Sequence, residues 1–181
     1  MFKFYRFLAL TSMVLISACS DEGKDQTSAK DNSAVVSGDT AGSESGKVAA
    51  NLSEGMFVSG TGEPRKSFQI EVADTQLKIN RGLMGRTSIP EDYGMLFDVN
   101  MAPRDVEIAF WMMDTLIPLD MLFLDERGVV FFIHKNAQPN DITPIIPPKR
   151  PRAVLEINAG QADKYGINAG DMLKADLFGN K

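Results

Sequence analysis

The strongest constraint on how this chain can fold is the region where its large hydrophobes are missing. From about Ser20 to Gly62 they are scarce, and Ser, Gly, Asp, Ala, Lys and Thr dominate. Such a stretch cannot bury enough apolar surface to offset the entropy lost on ordering it. The chain has 181 residues, of which 44% are apolar. Its core must therefore come from the roughly 118 residues that run from Pro64 to the end, which is enough for one ordinary domain and too few for two.

Ahead of the polar stretch, Lys3 and Arg6 precede an uncharged apolar run from Phe7 to Ile16. Its length suits a signal h-region and is too short for a bilayer-spanning helix. It leads into Ile16-Ser17-Ala18-Cys19, which resembles the bacterial lipobox, where small residues fit the signal peptidase and the thiol receives diacylglycerol. The expectation is a cleaved signal over residues 1–18, a lipid on Cys19, a disordered tether to residue 62 and a domain over 63–181. The other reading is an ordinary secretory signal that ends near a free cysteine. The Gly60-Thr61-Gly62 turn before Pro64 reads as the domain entrance. A coil of about 40 residues has a root-mean-square reach of roughly 35 Å, so the domain would sample a layer next to the membrane. Ser20 in place of Asp after the cysteine, by resemblance to enterobacterial sorting, favours the outer membrane, with the domain on the periplasmic face.

Cys19 is the only cysteine, so the domain has no internal disulfide, no thiol nucleophile and no cysteine metal ligand. The formal charge is −5, from 19 Lys+Arg and 24 Asp+Glu. Losing Lys3 and Arg6 with the signal leaves 17 basic residues against 24 acidic ones, or −7. The densest basic run, Lys149-Arg150-Pro151-Arg152, is short and broken by proline. Nucleic acid is not expected as a partner, because there is no basic footprint for a phosphate backbone.

Within the domain, Ser67 to Val72 alternates polar with apolar residues, as a half-buried strand does. Asp74 is a good helix cap, and Leu77, Leu83 and Met84 share a helical face that ends at Gly85, which predicts a short helix. Further strands are predicted at Gly94 to Val99, Glu107 to Met113, Leu119 to Leu124, Val129 to His134, Arg152 to Ile157 and Met172 to Phe178. Asp125-Glu126-Arg127-Gly128 reads as a hairpin turn. Ala162 to Tyr165, stopped by Gly166, reads as a turn or two of helix. The fold class is mainly β: a small antiparallel β-barrel or sandwich with one or two short helices, since parallel strands would need crossovers.

Read in order, Arg81-Gly82-Leu83-Met84-Gly85-Arg86, Ile89-Pro90-Glu91-Asp92-Tyr93-Gly94-Met95-Leu96-Phe97, Phe110-Trp111-Met112 and Thr115-Leu116-Ile117-Pro118-Leu119-Asp120 strongly resemble the domain of unknown function 192 family. The resemblance continues through Pro139, Val154-Leu155-Glu156-Ile157, Ala159-Gly160 and Gly166-Ile167-Asn168-Ala169-Gly170-Asp171. It implies a small, mostly β domain, often exported or lipid-anchored, with no settled activity. The chain departs from that pattern at Met113 and Asp114, where Lys then Asn is usual, so an anion held by that lysine would bind less well here.

Several residues have both a structural and a functional reading. Trp111, Asp114, Thr115 and Asp120 set polar groups beside the domain's single tryptophan, as a pocket wall would. They are equally a core indole, a turn cap and an acceptor of backbone hydrogen bonds. Arg81 and Arg86 flank a Gly-Leu-Met-Gly turn and either clamp an anion with their guanidinium forks or pair with Asp120 or Glu156. Asp114, Asp120 and Glu156 are the acids available to a two-carboxylate mechanism. His134, the only histidine, ends an apolar strand without a Gly-x-Ser-x-Gly motif and reads as an edge residue. No metal or cofactor motif is present, and none is expected to bind. The leading expectation is a monomeric, noncatalytic envelope binding module for a small polar molecule or a protein partner, joined to the membrane by the lipid on Cys19. A carboxylate hydrolase and a structural or assembly lipoprotein are the alternatives.

Overall fold

The computed structural model describes residues 52–181 and the backbone of Phe4–Tyr5. Apart from Phe4–Tyr5, the residues expected to form the signal, Cys19 and the expected tether as far as residue 51 lie outside the described residues. Among the described residues nine strands and two short helices follow one another: β1 Phe4–Tyr5, β2 Leu52–Val58, β3 Pro64–Ala73, α1 Gln76–Arg81, β4 Tyr93–Asp98, β5 Glu107–Ile108, β6 Leu119–Leu124, β7 Val130–Ala137, β8 Ala153–Asn158, α2 Gln161–Lys164 and β9 Met172–Lys174. β1 pairs only with β5, and the other seven strands form one sheet in the order β7-β6-β8-β4-β3-β2-β9. Among the described residues no helix is long and apolar enough to cross a membrane.

The fold is mainly β, as expected, but the sheet is an open, curled half-barrel. Its two edge strands meet at one place, a bridge between Val129 and Met172. There Val130 N donates to Asp171 O (2.8 Å) and Leu173 N to Gly128 O (2.8 Å). Gly128 is required at this contact: its φ is +83°, and a Cβ would sit 2.5 Å from the Leu173 carbonyl.

Four features depart from the sequence expectations. The pairing of β3 with β4 is parallel, and the crossover it needs is α1 with the loop to residue 92. β2 lies ahead of the Gly60-Thr61-Gly62 turn and is a full member of the sheet, with Phe57 fully buried. Its strand signal is weak because Gly55 interrupts the apolar alternation. A Cβ at Gly55 would lie 2.2 Å from Ile70 Cδ1, so the Ile70 side chain would have to shift to admit one. The segment expected as a strand over Glu107 to Met113 pairs only at Glu107–Ile108 and through a bridge from Phe110 to Ile145. The final predicted strand stops at Lys174 and gives way to a 3-10 turn over Asp176–Phe178. α1 is capped by the Thr75 side chain, which accepts from Lys78 N, and it buries Ile79 while Leu77 stays 78% exposed.

Strand alternation gives the sheet two apolar faces. Phe57, Phe68, Ile70, Leu96, Leu122, Leu155, Ile157 and Leu173 fill the inside of the curl. Tyr93, Met95, Phe97, Met121, Phe123 and Val154 lie on the outer face, where Ile79, Leu83, Phe110 and Met112 cover them. A chain of rings crosses the outer face from Phe97 to Phe110 (5.5 Å), Phe123 (5.9 Å) and Phe132 (5.3 Å), at centroid spacings suited to edge-on and tilted ring contacts.

Candidate functional site

Two bulges decide what β7 presents. Its pairing with β6 slips between Phe123 and Leu124, and again between Leu119 and Met121. At the first slip Phe131 is the extra residue, so Val130 joins the inner core while Phe132 joins the outer face. At the second, Asn136 takes a left-handed φ of 54° and its N–H donates to Asp120 Oδ1 (2.9 Å). The other oxygen, Asp120 Oδ2, accepts from Ala162 N at the start of α2 (3.0 Å). The buried Asp120 is therefore an acceptor that ties the end of β7 to α2.

Beyond this bulge the chain turns back through Asn140, which is also left-handed, and runs beside residues 110–115. Phe110 and Ile145 exchange both backbone hydrogen bonds (3.0 and 2.7 Å), Met112 N donates to Asp141 O (2.8 Å) and Asn140 N to Thr115 O (3.1 Å). The proline-rich segment that follows is pinned by Arg150, whose guanidinium donates to Val106 O (2.7 Å) and Ala102 O (3.0 Å). Arg152, in the same basic run, pairs with Asp98. Arg150 and Arg152 thus hold protein groups and do not form a free cationic surface.

Between the outer face of β7 and this returning loop lies a cleft of about 280 Å³. Met112, Phe132, Ala137 and Ile145 give it an apolar floor, and His134, Gln138, Asp141 and Thr143 supply polar groups. Asp141 Oδ1 accepts from Thr143 N (2.8 Å). That backbone hydrogen bond, followed by the Thr143 hydroxyl and the field of His134, holds the exposed carboxyl below its ordinary range.

A second polar group lies at the other side of the outer face. Register places Glu71, Met95, Glu156, Met121 and His134 in one row across β3, β4, β8, β6 and β7. At the β3 end, Tyr93 Oη donates to Glu71 Oε2 in a short hydrogen bond, and Arg86 donates to Tyr93 Oη (2.8 Å) and Glu71 Oε2 (2.9 Å). Burial opposes the charge on Glu71, but the hydrogen bonds from Tyr93 and Arg86 outweigh it and hold the carboxyl below its ordinary value. Burial first, and the Glu71 hydrogen bond second, raise the Tyr93 phenol far above its usual range.

The residues singled out in the sequence do not converge. Arg86 pairs with Glu71, not with Asp120 or Glu156, while Arg81 is exposed at the end of α1. Asp120 stands opposite Ile157 and Glu156 opposite Met121, so these two buried acids occupy opposite faces of the sheet. Asp114 is exposed with a left-handed φ of 54°, and its carbonyl accepts from Gly85 N (2.8 Å). Asp is among the residues that tolerate this conformation. Thr115 is buried in the same turn, where its hydroxyl donates to Met113 O (3.4 Å). Trp111 is 7% exposed; it does not line the cleft as its neighbour Met112 does, and its Nε1 has no partner among the described residues.

Sequence reasoning missed Phe132, Gln138, Asp141 and Thr143. The available signal was Phe132 and His134 at same-face spacing, followed by an Asp-x-Thr turn. It also missed Glu71, which sits at a polar position of the alternating strand β3 yet is buried, and its partner Tyr93.

The family model DUF192, described as Uncharacterized ACR, matches residues 57–175. A crystal structure of a protein of unknown function from Novosphingobium aromaticivorans DSM 12444 is 34% identical, with a TM-score of 0.64 over 72% of this chain and 89% of that one. Another, of a candidate transcription regulator from Sinorhizobium meliloti 1021, is 31% identical, with a TM-score of 0.66 over 73% of this chain and 99% of that one. Among curated proteins none matches.

Proposed function

This chain belongs to the uncharacterised DUF192 family, and from that premise we propose that it is a noncatalytic binding module of the bacterial envelope, tethered through a lipid on Cys19, whose ligand seats in the cleft between β7 and the 138–146 loop. The observation that carries this reading is the composition of that cleft: an apolar floor of Met112, Phe132 and Ile145 with His134, Gln138, Asp141 and Thr143 around it. A few fixed polar groups on an apolar wall are what small-molecule recognition uses. The reading moves the site from Trp111, Asp114 and Thr115 to the strand and loop that pack beside them.

The hydrolase alternative loses support from the same geometry. A two-carboxylate mechanism needs both acids on one substrate, and Asp120 and Glu156 project from opposite faces. The regulator description attached to the Sinorhizobium protein finds no counterpart in a chain of net charge −5 whose basic run is spent on its own carbonyls and Asp98.

The test is a thermal-shift screen of the chain from residue 19 onward carrying Cys19→Ser, against envelope sugars, peptides and small amines and acids. A ligand at a hundred times its dissociation constant adds about 2.7 kcal/mol to stability, and the expected shift disappears in Phe132→Ala. A hit that survives Phe132→Ala, or a silent screen, sinks the cleft as the site. Intact mass of the membrane-extracted chain checks the tether: a diacylglyceryl increment on a chain beginning at Cys19 is expected, and an unmodified chain starting elsewhere overturns it.

A further inference from the structure

Two clefts lie on either side of Ile146, and their charged groups differ. The one not yet described, about 320 Å³, is lined by Arg104, Lys149 and Arg150 together with Asp105 and Glu107. The binding cleft beside β7 has no lysine or arginine in its wall, and Asp141 is its one carboxylate. That carboxylate is set by the loop: Thr143 holds it through its backbone N–H on Oδ1 and through its hydroxyl, and the exposed group, with about four lone-pair sites in all, keeps acceptor capacity for a ligand. Gln138 adds a second acceptor, because its Nε2 is spent on Asn136 O (2.7 Å) and its carbonyl oxygen is left over. Phe132 contributes a ring at the end of the aromatic chain, and Met112 and Ile145 provide contact for an apolar body.

Taking the cleft as a binding site, we infer that its ligand class is a small amphipathic amine, with a ring or short hydrocarbon seated against Phe132, Met112 and Ile145 and an ammonium facing Asp141. The polarity follows from the acceptors at the polar side. An ammonium offers three N–H donors to Asp141 and Gln138, whereas a carboxylate would face another carboxylate. The net charge of −5 favours approach of a cation at longer range.

The experiment is an NMR titration of the isotope-labelled full chain in zwitterionic detergent micelles with three matched probes: benzylamine, benzyl alcohol and benzoate. Benzylamine is expected to bind about fivefold tighter than the alcohol, the advantage a unit charge pair near 4 Å retains in water. Its shifts should centre on Phe132, His134 and Thr143, and the advantage should shrink as salt rises. Asp141→Asn keeps an oxygen for Thr143 N, so it should fold normally and bring amine and alcohol to equal affinity. If alcohol or benzoate binds at these amides as tightly as the amine, or Asp141→Asn leaves the preference intact, the amine inference fails and the cleft survives as a site. If no probe shifts these amides, both are overturned.

Discussion

The inner and outer faces of the half-barrel come from the same strands but are built differently. The inner face is closed by the curl of the sheet itself, and almost everything on it is apolar. Its buried acid, Asp120, gives both oxygens to backbone N–H groups. The outer face is covered by chain segments that make little regular structure, and it carries Glu71, Tyr93, Glu156 and His134 among methionines and phenylalanines. Where strands close on strands there is no room for chemistry. Where loops close on strands the cover is incomplete at its β7 edge, and the cleft lies in that gap.

The largest expected effect comes from breaking the inner face. Leu122 is fully buried at the centre of β6, opposite Leu155, so Leu122→Ala should cost about 2–5 kcal/mol in denaturant unfolding. Phe132, on the outer face of the next strand, is only half-buried, and Phe132→Ala should cost about 1–2 kcal/mol. Equal losses at the two positions would mean that the cleft wall is core, and the distinction between the faces would not stand.

The next effect is smaller and depends on pH. Glu71 has a lowered pKa in the fold, so its contribution to stability is present above its unfolded value near 4.5 and is lost as pH falls through the folded value. Tyr93 is shifted upward, so its contribution is present below about 10 and is lost as pH rises through its folded value. Arg86→Ala would leave the Glu71 carboxylate without its guanidinium and should cost about 2 kcal/mol near neutral pH. Glu71→Gln, which can still accept from both partners, should cost about 1 kcal/mol there. The gap between wild type and Glu71→Gln should narrow progressively below pH 4.5, and chemical denaturation at several pH values reads it. A gap that stayed constant into acid would show that the charge on Glu71 contributes nothing.

The strands at the centre of the sheet were legible in the sequence as short, apolar-rich runs bounded by turn residues. Strands β4, β6 and β8 fall within one residue of the bounds so read and the Asp125–Gly128 turn lies where turn chemistry puts it, while β3, read from its alternation over Ser67 to Val72, starts three residues earlier at Pro64. The parallel pair was not legible, since a six-residue helix makes a crossover too small to register as one. The candidate site was mostly illegible for a related reason. It is assembled by a bulge at Asn136, a left-handed Asn140 and a bridge between residues 110 and 145, and none of these leaves a periodic trace. Asp120 and Glu156 stood out in the sequence as acids in apolar strands, yet the register that sets Asp120 opposite Ile157 and Glu156 opposite Met121 sends them to opposite faces.

The smallest expected effect separates two arginines that look equivalent in the sequence. Arg81 and Arg86 flank the same Gly-Leu-Met-Gly turn. The loop carries Arg86 back over β3 and β4, where Glu71 and Tyr93 hold it with its guanidinium 5.2 Å from the tyrosine ring centroid. Arg81 stays exposed at the helix end, where its backbone carbonyl accepts from Met84 N (3.1 Å) and its side chain makes no ion pair among the described residues. A lone exposed cation in the last turn of a six-residue helix interacts weakly with the helix dipole and is screened by salt. Arg81→Ala should therefore change unfolding stability by no more than about 0.5 kcal/mol, and it should leave benzylamine binding untouched because Arg81 does not line the cleft. A loss as large as that of Arg86→Ala would mean that the turn uses both guanidiniums, and the outer face would then carry a second ionic contact at its α1 edge.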